Sequence, residues 1–156
     1  MASPDFDVAT AQRWFAIELN NATWDWLDAN QTGAPTDPIV HVAHASLHHW
    51  RDVGTVINQA RAMVLVANVH ACLGHGDIAA VSAEECMRLT LEAADAADWD
   101  RAFAHDVLAR VAALTGDPAA AERKAEARHA GDAIVDPGSK EVFDAWHSGG
   151  NWHGLT

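Results

Sequence analysis

The sequence has little of what marks several large classes of protein. It contains only two cysteines, Cys72 and Cys86, with no CxxC pair, so we expect no disulfide framework and a reducing cytoplasmic location. The first ten residues include neither a basic segment nor a long apolar one, so we expect no secretory signal. No apolar run is long enough to span a bilayer.

Basic residues are also scarce, since 10 Lys and Arg stand against 22 Asp and Glu and give a formal net charge of -12. Such a chain repels phosphate backbones and anionic lipid surfaces unless it carries a concentrated basic patch. The only basic clustering is Arg123, Lys124 and Arg128, which alternates with Glu122 and Glu126 and is typical of a solvated helix face. We therefore expect neither nucleic acid nor membrane as a partner.

Apolar residues, histidine and tryptophan are plentiful. Apolar residues make up 49% of the 156, and the chain contains ten His, seven Trp and no Tyr. This length and composition predict a single globular domain over residues 1–156. No segment alternates in the manner of a β-strand, so the sequence predicts an all-α fold. The predicted helices cover about 8–30, 38–52, 55–73, 78–94, 99–114, a segment opening at 118, and 140–147, followed by an irregular tail over 148–156.

An internal repeat in the middle of the chain indicates the architecture. Arg61-Ala62 returns as Arg101-Ala102, and Gly76-Asp77 returns as Gly116-Asp117. Self-similarity at such a period is typical of helical-hairpin repeats. We therefore predict hairpins over about 55–95 and 98–132 in a compact array of antiparallel helices. The array should resemble tetratricopeptide repeats, with a period of about 40 residues in place of the usual value of about 34.

The first predicted helix carries apolar residues on two sides. One stripe recurs at spacings of three and four residues, and Ile17 and Trp24 lie opposite to it. The stripe comprises Val8, Ala11, Phe15, Leu19, Ala22 and Trp26. A helix that is apolar on two faces is either central or shared with a partner. Two hairpins are also few for a repeat array, so we expect a homodimer.

The second predicted helix carries a row of histidines. His41, His44 and His48 share one face at spacings of three and four residues. Transition metals of the zinc type bind neutral imidazole, and such an ion is the cofactor that this row would suit. His41 and His48 are about 10 Å apart along the axis, so a site would use one neighbouring pair, His44 with His48 or His41 with His44, and a ligand from another helix. His105 is the preferred third ligand, and His70 and Glu84 or Glu85 are alternatives. The competing interpretation is a solvated row of histidines without a metal.

Two arginines have different expected roles. Arg61 lies in the most apolar predicted helix, where an unpaired charge would be costly. It should therefore clamp a carboxylate on a neighbouring helix or anchor an anionic ligand. Arg110 forms a favourable i, i+4 pair with Asp106, which we expect to be solvated.

Four stretches resemble a family of small bacterial proteins described only as tetratricopeptide-like. They are FAIELNNATWDWLD (15–28), HVAHASLHHW (41–50), DWDRAFAHDVLAR (98–110) and NWHGL (151–155). The most specific part is HxxHASxxHW, which begins at His41 and ends at Trp50. The resemblance implies an all-helical fold and brings no activity with it.

The histidine and tryptophan content suggests three hypotheses for function. The first is a binding module that holds a small ligand or peptide in a His/Trp-lined groove. The second is an enzyme that uses histidine acid–base or metal chemistry on the same cluster, and the third is a structural homo-oligomer without a pocket. The residues expected to line the groove are His41, His44, His49, Trp50, Arg61 and Trp152.

Overall fold

The computed structural model describes residues 5–29 and 38–156, and the regular structure in these two ranges is entirely helical. The all-α prediction is confirmed for this part of the chain. Asn30, the predicted end of the first helix, lies outside the described residues. The helices are α1 Val8–Ala29, α2 Ile39–Val53, α3 Val56–Cys72, α4 Gly76–Glu92, α5 Asp98–Thr115, α6 Ala120–Asp132 and α7 Pro137–Ser148.

Consecutive helices pack as three hairpins, α1 with α2, α3 with α4 and α5 with α6, and α7 lies against α5 and α6. Helix α3 is the centre of the fold, because it contacts α1, α2, α4 and α5. Most of its residues between Ile57 and Ala71 are buried, as its apolar sequence predicts. None of the helices in the described ranges is long and apolar enough to cross a membrane.

The two central hairpins are spaced slightly farther apart along the chain than the repeated sequence motifs. Helices α3 and α5 begin at Val56 and Asp98, and the turns that follow them contain Gly74 and Gly116. Both glycines have positive φ. A left-handed residue after the last helical turn favours glycine because it lacks a Cβ atom. The offset predicted from the repeated sequence motifs therefore does not superimpose the two equivalent turns, at Gly74 and Gly116.

Helix α1 buries a different face from the predicted stripe. Its fully buried residues are Ala16, Thr23 and Leu27, whereas Val8 and Phe15 are exposed. The buried face is thus displaced from the predicted stripe by about one residue, roughly 100° around the helix. The polar Thr23 can be buried on this face because its hydroxyl donates a hydrogen bond to the carbonyl of Leu19 at 2.7 Å. Trp24 lies next to this buried face and is itself half-buried.

Helix α7 is held in place by its first residues and by a close approach to α6. Pro137 occupies the first turn, and the carboxylate of Asp136 accepts a hydrogen bond from the amide of Ser139 at 2.7 Å. Farther along, the ring of Phe143 lies directly against Gly131 of α6, where an added Cβ would stand 2.0 Å from a ring carbon. Glycine at 131 therefore lets α7 approach closely enough to cover α5.

Candidate functional site

A cleft lined mainly by aromatic side chains runs between α1, α5 and α7 and reaches α3 at one end. It consists of three adjoining hollows, all of which share Trp24 of α1 and Phe103 of α5. We call it the aromatic cleft. Its principal lining residues are Trp24, Asp28, Arg61, Trp99, Phe103 and Trp146.

The α3 end of the aromatic cleft is built around an ion pair. The Nε and Nη2 atoms of Arg61 donate to the two carboxylate oxygens of Asp100 at 2.8 and 3.0 Å. Asp100 is buried, and it also accepts a hydrogen bond from the amide of Ala97 at the start of α5. The guanidinium carbon of Arg61 lies 4.4 Å from the centre of the Trp99 ring. This contact between α3 and α5 is the clamp that was one of the two interpretations of Arg61.

The clamp leaves Arg61 part of its binding capacity. Its hydrogen bonds to Asp100 raise the pKa of the guanidinium, so it stays charged at all ordinary pH values. The side chain keeps 37% of its surface exposed, and Nη1 makes no hydrogen bond within the described ranges. The adjoining hollow, about 130 Å³ in volume, is also lined by Asn20, whose amide has no hydrogen bond to the described residues. Both groups can therefore donate to a ligand.

The α7 end of the cleft is an aromatic corner. The ring of Trp24 lies 5.2 Å from that of Trp146 at an interplanar angle of 88°. It also lies 5.7 Å from the ring of Phe103 at 74°. The exposed carboxylate of Asp28 lines the hollow formed by these three rings, which has a volume of about 430 Å³. None of the described side chains that line this end is basic, although the guanidinium carbon of Arg110 lies 5.0 Å from the centre of the Trp146 ring.

The histidine row of α2 lies apart from the aromatic cleft. His41 is exposed, and the His48 side chain is 72% exposed, with Nε2 3.9 Å from the carboxylate of Asp52. The ring of His49 stacks on Phe15 of α1 at 5.6 Å. Trp50 is buried in the core. These four residues were predicted to line or adjoin one groove with Arg61. None of them lines the hollow beside Arg61.

One histidine of the row takes part in a contact between helices. The Nε2 atom of His44 lies 2.9 Å from Nε2 of His70 on α3, and Nδ1 of His70 lies 3.0 Å from Nδ1 of His75 at the start of α4. His70 is buried between these two exposed rings. Burial lowers the pKa of His70 to about 4, and it also lowers the pKa of His44. A neutral His70 can accept a hydrogen bond at one ring nitrogen while its other ring nitrogen donates one.

The structure does not bring together the three residues expected to bind a metal. His105 lies on α5, its Nδ1 atom 4.0 Å from the carboxylate of Glu126 on α6. Helices α2 and α5 do not touch, because α3 packs against both of them. His44 meets His70 instead, and the two contacts of His70 use opposite ring nitrogens, so they do not converge on one point. Among the described residues, no group of three or more His, Cys, Asp or Glu side chains is placed to hold a metal ion.

The pair formed by Asp106 and Arg110 is buried rather than solvated, which corrects the prediction from its spacing. Asp106 accepts hydrogen bonds from Nε of Arg110 at 2.6 Å and from the indole of Trp146 at 2.9 Å. Its other oxygen lies 2.7 Å from Nδ1 of His147. The Nη2 atom of Arg110 donates to the carbonyl of Trp146 at 2.7 Å. A helix-surface spacing alone could not reveal this, since α7 supplies the burial.

Trp152 belongs to the same buried network. Its indole nitrogen donates to the carbonyl of His147 at 3.1 Å, and its ring centre lies 4.3 Å from the guanidinium carbon of Arg110. The Nζ atom of Lys124 lies 4.5 Å from the same ring. Trp152 therefore fastens the tail to α5, and it is not among the residues that line the aromatic cleft.

Sequence reasoning missed most of the aromatic cleft. Trp24, Trp99, Phe103 and Trp146 lie on three helices and form no local motif. The available signal was the number of tryptophans and the position of Trp24 opposite the predicted apolar stripe. No protein-family model, curated protein or solved structure matches this chain, so its function is inferred from the geometry alone.

Proposed function

We propose that the protein is a helical binding module that holds a small ligand, or a side chain of a peptide, in the aromatic cleft. The observation that supports this most directly is the hollow beside Arg61, where Trp24, Trp99 and Phe103 surround unused donors of Arg61 and Asn20. Concave apolar sites with a few convergent polar groups are the usual form of small-molecule sites. The scaffold, on this proposal, consists of two diverged tetratricopeptide-like hairpins in a cytoplasmic protein.

The composition of the cleft refines the His/Trp groove expected from the sequence. Tryptophan and phenylalanine form the walls, whereas Arg61 takes the polar role that was assigned to histidine. Rigid aromatic walls lose little conformational entropy when a ligand binds, and they suit a flat or apolar ligand body. A hydrogen-bond acceptor on the ligand would complete the coordination of Arg61 Nη1.

Ligand-observed NMR with a fragment library, together with native mass spectrometry of the full chain, tests this proposal. Fragments that bind should lose affinity in Trp24→Leu, because Trp24 borders every part of the cleft. Trp14→Leu is the matched control, since Trp14 is on the same helix but 56% exposed and outside the cleft. Binding that is unchanged in Trp24→Leu and Trp99→Leu would place the ligand elsewhere and refute the proposal.

A histidine-dependent enzyme is the second candidate, favoured by the contact of His44, His70 and His75. An imidazole that is neutral at physiological pH, as the lowered pKa of His70 implies, can act as a general base. This candidate requires a reaction that depends on His70, and it fails if a His70→Gln variant with normal folding keeps any activity that is found.

A homodimer is the proposed assembly, with α1 as its interface. Phe6, Val8, Trp14, Phe15 and Ile17 are all at least 40% exposed near the start of the described chain. Neighbouring exposed apolar side chains of this size are typical of protein–protein contacts. The same surface would carry the third hypothesis, a structural oligomer, if the aromatic cleft proved unable to bind any ligand.

A further inference from the structure

We infer that the α7 end of the aromatic cleft recognises a cation, and specifically a quaternary ammonium group. This inference rests on the proposed function and names the chemistry of one part of the same cleft. The site consists of the rings of Trp24, Phe103 and Trp146 with the carboxylate of Asp28 at the edge. The histidine row of α2 contributes no residue to this site.

The arrangement of the rings favours a cation over a second aromatic ring. Trp24 stands at 74° to Phe103 and at 88° to Trp146, so the three rings meet as the sides of a corner rather than as a parallel stack. A corner offers ring surfaces on more than one side of a compact group, whereas a flat ring needs a slot. The negative faces of aromatic rings attract cations, and tryptophan does so most strongly.

The electrostatics of this end point the same way. The Asp28 carboxylate is exposed, and no described residue forms an ion pair or hydrogen bond with it. None of the described side chains that line this end is basic, and the formal net charge of the chain is -12. A strongly acidic protein raises the local concentration of cations and repels anions. The pair of Arg110 and Asp106, which contacts Trp146, contributes one charge of each sign, so among the described residues the unpaired charge at this end is that of Asp28.

The scarcity of acceptors distinguishes a quaternary from a primary ammonium group. A primary ammonium has three N–H donors that must find partners when water is removed. The corner offers a single carboxylate and otherwise apolar side chains, including Val142 and Ala145. A trimethylammonium group has no N–H donor, and its methyl groups can contact the rings directly. The site therefore suits a methylated cation better than a lysine side chain.

The test compares choline with its neutral isostere 3,3-dimethylbutan-1-ol on the full chain at low ionic strength. The two probes have nearly the same shape, and only choline carries a charge. Isothermal titration and NMR should show choline binding about ten-fold more tightly than the alcohol, as desolvated cation–π contacts would give. Added salt should lower the affinity for choline and leave the affinity for the alcohol unchanged, because only the charged probe is screened.

Matched carboxamide variants identify the carboxylate responsible. Asp28→Asn should weaken choline binding by about three- to ten-fold without changing the affinity for the alcohol. Asp25→Asn is the control, because Asp25 is exposed on the same helix and does not line the cleft. Both changes are on the surface, so thermal melts should show that the two variants fold normally.

The outcomes separate this inference from the proposed function. Equal binding of choline and the alcohol would overturn the inference and would support an apolar binding cleft. Failure of choline to bind at tens of millimolar would overturn the inference alone, provided that fragments still bind in a manner sensitive to Trp24. An identical effect of the Asp25 and Asp28 variants would also overturn it, since the attraction would then be nonspecific.

Discussion

The Nε atom of Arg110 lies 2.6 Å from a carboxylate oxygen of Asp106, and both side chains are almost completely shielded from solvent. The corresponding ion pair at the start of α5, Arg61 with Asp100, is also short but leaves the arginine side chain 37% exposed. Burial rather than sequence spacing therefore distinguishes the two ion pairs. A buried pair that loses one partner strands a charge in a medium of low polarity.

We expect Arg110→Ala to destabilise the fold more than Arg61→Ala. The first change should cost about 3–5 kcal/mol, because Asp106 would remain buried with only Trp146 and His147 as partners. Water can partly solvate Asp100 when the half-exposed Arg61 is removed. Urea unfolding followed by circular dichroism measures both changes. Arg88→Ala, which breaks an exposed pair, is the control and should shift the midpoint little. A larger loss for Arg61→Ala would contradict this ranking.

Gly131→Ala should destabilise the protein by about 1–3 kcal/mol. The new methyl group would stand 2.0 Å from a carbon of the Phe143 ring, so α7 would have to move away from α6. Gly138→Ala is the matched control on α7, because its Cβ would meet only the Asp136 carboxylate at 3.4 Å. Thermal unfolding of both variants gives the comparison. Equal melting temperatures for them would show that the helices can separate at little cost.

Stability should fall as the pH drops from about 6.5 towards 4, partly because of His70. Its pKa is about 4 in the folded chain and near 6.5 when exposed, so the unfolded chain binds more protons in this interval. The contribution of His70 is therefore complete above pH 6.5 and is lost as the pH approaches 4. His70→Gln should flatten the pH dependence of the unfolding free energy. Parallel curves for the wild-type protein and this variant would refute the assignment.

Association through α1 should be sensitive to its exposed apolar face. We expect the protein to sediment as a dimer at tens of micromolar and the double change Trp14→Ser with Ile17→Ser to give a monomer, since both side chains are at least 40% exposed on α1. Val81→Ser removes a 69% exposed side chain from α4 and should leave the dimer intact. A wild-type monomer at this concentration would rule out the interface.

The sequence was a good guide where the composition of a single helix determines whether that helix is buried. Helix α3 is apolar on nearly all sides, so its burial follows from composition, and the turns at Gly74 and Gly116 follow from glycine placement. The sequence was a poor guide where the environment of a residue depends on how two helices pack against each other. Trp24 and Trp146 are separated by most of the chain, and nothing local to either predicts the corner that they form.

The errors in the sequence interpretation have one physical origin. Spacings of three and four residues tell which side chains share a helix face, but they do not tell whether that face meets solvent or another helix. The face shared by His41, His44 and His48 is largely exposed, whereas the face shared by Asp106 and Arg110 is buried. The first was interpreted as either a binding site or a solvated row, and the second was expected to be solvated.

The hydrogen bonds of Asp106 also bear on the order in which the chain can fold. Its partner His147 comes 41 residues later, and Arg110 donates to the carbonyl of Trp146 in the same segment. A state with α5 docked and α7 still detached would leave this charge pair with little more than its mutual hydrogen bond, because its other partners are Trp146, His147 and the residues that follow them. Such a partly folded state is therefore disfavoured, and α5 and α7 should lose their amide protection against hydrogen exchange together, as one cooperative unit.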